Sequence, residues 1–483
     1  MVTMRRSRFF GFGLFAAIAV SISLLFGGCG KSEKKGISAD SGEFGVIDEA
    51  YDVITEHAVY PLKKEDLIEG ALRGMADVIG DPYSTYLTKE EAASHKESLA
   101  GERVGIGAEI TRTNGKFVIV SPVKGSPSEK AGLLPYDELV QIDSERVDGL
   151  TLQEVVKRIR GKKGTSVKLT VYRPEAGKHI ELTIERDVIP VHTVTSEILE
   201  ERGRKIGYIG LTMFGEDSAK EWQAATDLLV KEGAEAILID VRGNPGGYLH
   251  AVGAIAGSVL PEDTVFAYME NIKGQLTPLV TEKPEGIEYD PQLKKLPVVL
   301  MQDQGSASAS EVLSGALQDL GRGFIVGTTS FGKGTVQETM ELSNGGEVKL
   351  STHKWLTPKE RWIHGEGVES DLKVKQNSLF AEHLRVLADT YAEEQFNDDI
   401  AYAQRILKAL DYEPGRVDGY FDDATKKAVA KFQKDEEQKS SGKMDAAFFQ
   451  ALKTRAEAVK GDRANDEQLA MALGYLHHAL SKK

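Results

Sequence analysis

Arg5, Arg6 and Arg8 stand ahead of an apolar run from Phe9 to Phe26, which ends at the small residues Gly27 and Gly28. A basic start, an apolar middle and a small-residue end form the pattern of an export signal. The run is also long enough to cross a bilayer as an anchor. Residues 30–43 are mainly polar and read as a linker. Apolar residues then fall at helical spacing, first Val46, Ala50, Val53, Ile54 and Ala58, then Leu67, Ala71, Leu72 and Met75. This predicts a helical region over 44–99, interrupted by a turn at Gly80-Asp81-Pro82.

Over 100–188 the period shortens to two. Phe117 and Ile119 alternate with Val118 and Val120, and further strands are predicted at Leu139–Ile142, Ser166–Tyr172 and His179–Glu185, with one helix at Leu152–Ile159. Over 189–376 strands and helices take turns. Ala236–Val241 and Val298–Met301 are apolar without alternation, as strands buried on both faces are. Helices are predicted at Ser218–Glu232, Tyr248–Leu260 and Ser310–Leu320, so this part reads as an α/β core. From Asn377 the pattern is helical to the end: a connector at 377–400, a small module at 401–456 and a last helix at 457–483. The fold class is therefore α/β multidomain, with a helical N-terminal region, a β-rich module, an α/β core and a small helical C-terminal domain.

Length agrees, since 483 residues exceed one ordinary core. The balance of 60 basic against 74 acidic residues, net −14, argues against a nucleic-acid-binding stripe. Cys29 is the one cysteine, which excludes an intrachain disulfide and a thiolate metal cluster.

Three segments carry candidate chemistry. Gly305-Ser306-Ala307-Ser308-Ala309-Ser310-Glu311 joins a buried strand to an amphipathic helix. Small residues allow a sharp turn, and a helix N-terminus offers N–H groups and positive potential to an oxyanion. Taken alone, Ser308 with Glu311 three places on fits a capping box better. In Gly332-Lys333-Gly334-Thr335-Val336-Gln337, residues two apart share a strand face, so Lys333, Thr335 and Gln337 point together. A desolvated lysine loses proton affinity and can serve a serine as general base, whereas an ordinary lysine sits in solvent. Val241-Arg242-Gly243-Asn244-Pro245-Gly246-Gly247 leaves a buried strand for a helix and can present N–H groups to an anion, though not in G-x-G-x-x-G order.

Together these segments resemble the carboxyl-terminal processing peptidases, or tail-specific proteases, of serine peptidase family S41. The resemblance covers residues 44 to about 375 and is closest to the Gram-positive type, with a PDZ domain and a C-terminal peptidoglycan-binding-like domain. It implies a nucleophile at Ser308, a lysine base 25 residues later at Lys333, and a glutamine four further on at Gln337. That spacing selects Ser308 over Ser306 and Ser310. It also implies oxyanion donors at Ala309 and at Gly246 or Gly247. Asp81–Leu87, Trp355–Pro358 and His364–Val368 match further family segments, while Ser370 stands where proline is usual. A Ser–His–Asp arrangement through His250, His353 or His364 is the mechanistic rival.

Residues 100–188 resemble a PDZ domain. Val104, Gly105, Ile106, Gly107 and Ala108 match its carboxylate-binding loop, and the strand from Glu109 would pair with an extended peptide. Tyr136 replaces a glycine common before the Asp-Glu pair. Residues 401–456 resemble a peptidoglycan-binding-like domain, with docking or dimerisation as equal roles. Cys29 after Gly28 resembles a lipidation site, with Phe26 in place of the usual leucine.

The expected protein is a serine endopeptidase of the bacterial cell envelope, extracytoplasmic and attached to the membrane through its N-terminus. Its expected partners are protein substrates with exposed C-terminal tails, a second copy in a homodimer, and peptidoglycan or a regulator protein, with no nucleic acid. No metal or organic cofactor is implied. The competing class is a catalytically silent PDZ scaffold. Intact Ser308, Lys333 and Gln337 favour the enzyme, because a scaffold needs no such set.

Overall fold

The computed structural model describes residues 44–482 apart from 101, 114, 115, 124, 125, 191, 282, 283, 383, 386 and 388. Cys29, the export segment 1–29 and the whole linker 30–43 lie outside the described residues. The chain divides into two compact units, Met1–Ile68 and Glu69–Lys483. The first holds helix α1 (Gly45–His57) and the start of α2 (Lys64–Asp77). Asp48 in the first turn of α1 and His57 in its last suit the helix dipole, yet α1 has no buried residue.

In the second unit, strand β1 (Thr85–Leu87) and helix α3 (Lys89–Ala100) follow α2. Residues 85–87 do not continue the turn after Gly80. They form a strand because they pair antiparallel with residues 347–349, more than 250 positions away.

The β-rich module is built from β2 (Glu102–Gly105), β3 (Ala108–Thr113), β4 (Lys116–Pro122), α4 (Pro127–Lys130), β5 (Glu138–Ile142), β6 (Glu145–Arg146), α5 (Leu152–Ile159), β7 (Ser166–Arg173) and β8 (Lys178–Glu185). Its sheet runs β3-β4-β5-β7-β8 with β6 beside β5, which leaves β3 on an edge. Phe117, Ile119, Leu139, Val155, Val167, Leu169 and Val171 fill the core. A complete capping box, Thr151 with Glu154, starts α5. Tyr136 holds φ +67°, the backbone a glycine would take without strain; left-handed geometry costs an L-residue about 1–2 kcal/mol. Strand β9 (Asp187–Pro190) pairs with β2 and closes the module's two chain ends together.

The α/β core contains β10 (Val194–Glu201), β11 (Arg204–Leu211), α6 (Ser218–Lys231), β12 (Ala236–Asp240), α7 (Leu249–Val259), β13 (Val265–Asn271), β14 (Leu276–Val280), β15 (Val298–Gln302), α8 (Ala309–Asp319), β16 (Phe324–Gly327), β17 (Thr335–Glu341), β18 (Glu347–Leu356) and β19 (Leu372–Lys373). Its main sheet is β10-β11-β12-β15-β16-β19, parallel except for β10. Every residue of β12 and β15 is buried. Ile237, Ile239 and Leu300 pack under α6, α7 and α8 on one face. Ala236, Leu238, Val299 and Met301 face the other way. A second sheet joins β1, β18, β13 and β14, with β17 along β18.

The remaining helices are α9 (Asp398–Ala409), α10 (Asp423–Asp435), α11 (Ala446–Gly461) and α12 (Glu467–Ser481). The connector 377–400 is not the single expected helix: among the described residues a 3-10 turn at Ser378–Ala381 gives way to irregular backbone before α9 begins at Asp398. Tertiary pairing takes the backbone groups a helix would need, since Tyr391 bridges to Met444 and Phe396 to Tyr420. The first three of these helices form their own core around Phe421, Phe432, Phe448 and Phe449. The last, α12, returns to the main sheet and covers its second face with Leu469, Ala472, Leu476 and Leu480.

Candidate active site

The turn from β15 into α8 carries three serines with different surroundings. Ser306 Oγ donates to Val241 O at 2.7 Å and accepts from Asp303 N at 3.0 Å. Ser310 Oγ donates to Asn244 O at 3.0 Å. Both are fully buried, and they stitch the turn to the neighbouring 241–247 loop. Between them Ser308 opens on a cavity of about 790 Å³, with φ +53° and ψ −114°. A non-glycine residue holds such a backbone only where the surroundings enforce it, and such positions cluster at functional sites.

Glu311 supplies the enforcement. Its side chain is fully buried, and Oε2 accepts from the backbone N–H groups of Ser308 and Lys333, each at 2.8 Å. Oε1 accepts from Ser330 Oγ and Gly332 N, both at 2.6 Å. The predicted capping glutamate therefore reaches well beyond its own helix. A buried carboxylate is tolerated when donors surround it, and these four join the serine turn to the lysine loop.

Lys333, Thr335 and Gln337 line the same cavity as Ser308. Burial pushes the Lys333 ammonium below its usual proton affinity; Lys349 acts the same way, and Asp81 and Glu311 oppose it. Lys333 Nζ lies 4.9 Å from the Tyr83 ring centre. Its loop is held on both sides. Gly334 N donates to His364 Nδ1 at 3.3 Å, Trp362 Nε1 to Gly334 O at 2.9 Å, and Trp355 Nε1 to Lys333 O at 2.8 Å. Gln337 Nε2 donates to Thr335 Oγ1 and Ser351 Oγ, each at 2.9 Å. Ser351 N in turn donates to Ser84 Oγ at 3.0 Å, and Ser84 to Asp81 Oδ2 at 2.6 Å. The Asp81–Leu87 segment thus supports the lysine side of the cavity.

Ala309, Gly246 and Gly247 line the cavity too. The two glycines are not equivalent. Gly246 N donates to Asn244 Oδ1 at 2.9 Å. Among the described residues no acceptor meets Gly247 N or Ala309 N. Gly247 holds φ +143°, and a Cβ there would stand 2.2 Å from Phe214 O, so only glycine fits. Asn244, which the sequence reading passed over, is fully buried and ties four points together. It donates to Leu211 O at 2.8 Å, accepts from Gly246, and receives Ala307 N and Ser310 Oγ on its carbonyl at 3.0 Å each.

A family model for peptidase family S41 matches residues 205–374, the stretch containing all these loops. Over 427 residues the chain is 39% identical to the carboxy-terminal processing protease CtpB of Bacillus subtilis (strain 168), covering 88% of each chain. It belongs to the carboxy-terminal processing proteases. These are serine endopeptidases, and this chain is one of them. CtpA of the same organism is 34% identical over 472 residues, 97% of this chain and 98% of its own. Further family models match a PDZ domain at 118–173, a peptidoglycan binding domain at 397–452 and the activating protease CtpB N-terminal domain at 29–91. Among solved structures, a photosystem II D1 C-terminal processing protease aligns over 69% of this chain and 87% of its own, at 26% identity and a TM-score of 0.42.

None of the three histidines weighed as partners for Ser308 lines this protease's cavity. His250 is exposed and stacks on Tyr248 at 5.0 Å, His353 sits beside Thr352 Oγ1 at 2.9 Å, and His364 accepts from Gly334. The histidine that does line it is His95 of α3, which no sequence motif marked. Burial lowers its proton affinity, Lys349 and Lys333 add to that, and Glu347 opposes it.

In the protease's PDZ domain, residues 106 and 107 join β2 to the edge strand β3. The N–H groups of Ile106 and Gly107 meet no acceptor among the described residues. Gly107 O accepts from Ser126 Oγ at 3.0 Å and Ser128 Oγ at 2.6 Å, which turns the loop. A Cβ on Gly107 would stand 2.4 Å from Ser126 Cβ, so replacing it disrupts the loop itself; Gly105 has no atom within that reach. Val104 and Gly105 end β2, and Ala108 starts the edge strand β3.

Proposed function

We propose that this protease cleaves extracytoplasmic polypeptides with Ser308 as nucleophile, Lys333 as general base and Gln337 holding that base in place. One observation carries the reading. Of three serines in one turn, two are buried and bonded to the adjacent loop, while the third is strained and shares a cavity with a desolvated lysine.

Neutral Lys333 Nζ takes the hydroxyl proton as Ser308 Oγ attacks the peptide carbonyl carbon. The carbonyl oxygen becomes negative and is received by the N–H groups of Ala309 and Gly247. Collapse breaks the C–N bond; the leaving amine takes the proton from Lys333, and Ser308 is left acylated. Water, deprotonated in turn by Lys333, releases the acid and restores the serine. Substrates enter by their C-terminal tails. The terminal carboxylate meets Ile106 N and Gly107 N, and the preceding residues extend along the edge strand β3.

The basic and then apolar N-terminus supports a place outside the cytoplasm, with Cys29 or the apolar run as membrane attachment. The absence of any buried residue in α1 supports a homodimer that covers this helix. The peptidoglycan binding match supports a cell-wall contact, and regulatory proteolysis is the setting we assign.

The test uses the chain from residue 31 onward, an unstructured protein with an apolar C-terminal tail, and the same protein with a charged tail. Ser308→Ala and Lys333→Ala are expected to abolish cleavage, and the charged tail to slow it. Cleavage at the parental rate by either variant would overturn the dyad, and equal rates on both tails would overturn the PDZ role.

A further inference from the structure

The 241–247 loop is glycine-rich, and Gly243, Gly246 and Gly247 hold φ of +67°, +106° and +143°. Such backbone has little conformational preference of its own, so its shape depends on what pins it. Asn244 pins the middle, and the bond from Tyr248 N to Phe214 O at 2.7 Å pins the end. Arg242 pins the start.

Arg242 is held from two directions. Its guanidinium donates to Asp240 over 2.7–3.1 Å, from within the same strand end. It also donates to both carboxylate oxygens of Asp466, at 2.9 and 2.8 Å, and to Gln468 Oε1 at 3.2 Å. Asp466 lies 224 positions later, beyond the peptidoglycan-binding-like region. Its Oδ1 caps α12 through Leu469 N at 2.9 Å and accepts from Gln376 Nε2 at 2.6 Å. Tyr208 Oη donates to Asp240 Oδ2 at 2.9 Å. The Arg242 and Asp466 side chains are only 17% and 9% exposed. A buried bidentate pair fixes a plane and a distance as well as supplying energy.

We propose that Asp466 is a positioning residue for the peptidase reaction: by gripping Arg242 it sets the start of the loop so that Gly247 N faces the developing oxyanion. The inference rests on the reading of Ser308, Ala309 and Gly247 given above. It means that the chain's last helix, reached only after a separate helical module, completes the catalytic apparatus.

The experiment uses the full chain with Asp466→Asn and, as control, Leu476→Ala. Asparagine still caps a helix, so the first variant removes mainly the ionic grip. The second loosens α12 on the sheet without touching Arg242. Three quantities are read: kcat and KM on a tail-bearing peptide, affinity for a peptide aldehyde that forms a tetrahedral adduct with Ser308, and binding of uncleaved peptide in a Ser308→Ala background. Asp466→Asn is expected to lower kcat by about 10- to 100-fold and aldehyde affinity in parallel, leaving KM and uncleaved-peptide binding unchanged. Leu476→Ala is expected to lower Tm and leave kcat at the parental value where the protein stays folded. In an Arg242→Lys background, Asp466→Asn is expected to add little, because both act through one contact. Parental kcat and aldehyde affinity in Asp466→Asn would overturn the proposal, as would equal loss of kcat in the two helix variants. An active Ser308→Ala protein would overturn the dyad instead, so the two failures are distinguishable.

Discussion

At Lys333, burial and the nearby Lys349 lower proton affinity while Asp81 and Glu311 raise it. In the proposed mechanism the lysine must be neutral to accept the serine proton, so the ascending limb of the kcat/KM–pH profile is expected below the range of an ordinary lysine, whose pKa is about 10.4. The neighbours set where that limb falls. Removing the negative charge in Asp81→Asn takes away a raising influence, and the limb is expected to move to lower pH. Lys349→Met takes away a lowering influence, and the limb is expected to move to higher pH. Profiles of the parent and both variants, measured on one peptide, check this; movement of either in the opposite sense would contradict the assigned electrostatics. The depressed affinity also has a folding consequence. The folded state binds fewer protons than the unfolded state between the two pKa values, so stability falls as pH drops through that window. Below that window the depressed affinity of Lys333 therefore costs stability, as functional groups in desolvated sites often do.

Between elements, Glu311 is the joint. The serine turn at the start of α8 and the lysine loop before β17 belong to different strand connections, and one carboxylate holds both through four short hydrogen bonds. Glu311→Gln keeps the shape but replaces an acceptor oxygen with an NH2 group that faces N–H donors. Two buried donors then lose their partner, at about 1–3 kcal/mol each. Urea unfolding is expected to show a loss of about 2–6 kcal/mol. Cleavage is expected to fall as well, because the Ser308 backbone relaxes from φ +53°. A variant as stable and active as the parent would mean that packing alone holds the two loops.

Across the whole molecule, the main sheet is buried on both faces only because α12 comes back to it. Leu469, Leu476 and Leu480 cover Ala236, Leu238, Val299 and Met301. Burying a leucine contributes about 1.5–3 kcal/mol, so three contribute about 5–9 kcal/mol. A domain's entire stability is about 5–15 kcal/mol. A chain ending at Asn465 is therefore expected to be insoluble or to bind a hydrophobic dye, and to lack activity. A soluble, active product of that length would show that the sheet tolerates an open face, and would remove the basis for linking α12 to the active site.

Much of this was legible from local pattern. Alternating and continuous apolar runs report which faces of a strand are covered, so β12, β15 and the helices α6, α7 and α8 follow from the sequence, as do β5, β7, β8 and α5 of the module before them, whereas β13 and β14 do not. Ser308, Lys333 and Gln337, which the spacing marked in the sequence, all line one cavity. Other features belonged to tertiary structure alone. The strand at Thr85–Leu87 and the irregular connector before Asn397 depend on partners far along the chain, and no local period encodes such a partner. Glu311 reads as a cap in sequence because three of its four donors arrive from residues 330–333 only on folding. That the Gly246 amide is already engaged turns on one bond, from Gly246 N to Asn244 Oδ1. The continuous apolar run of β12 shows that both its faces are covered, but not that α12, more than 220 residues later, covers one of them. Periodicity describes an element's faces; which element closes on a face is settled by chain closure and packing in three dimensions.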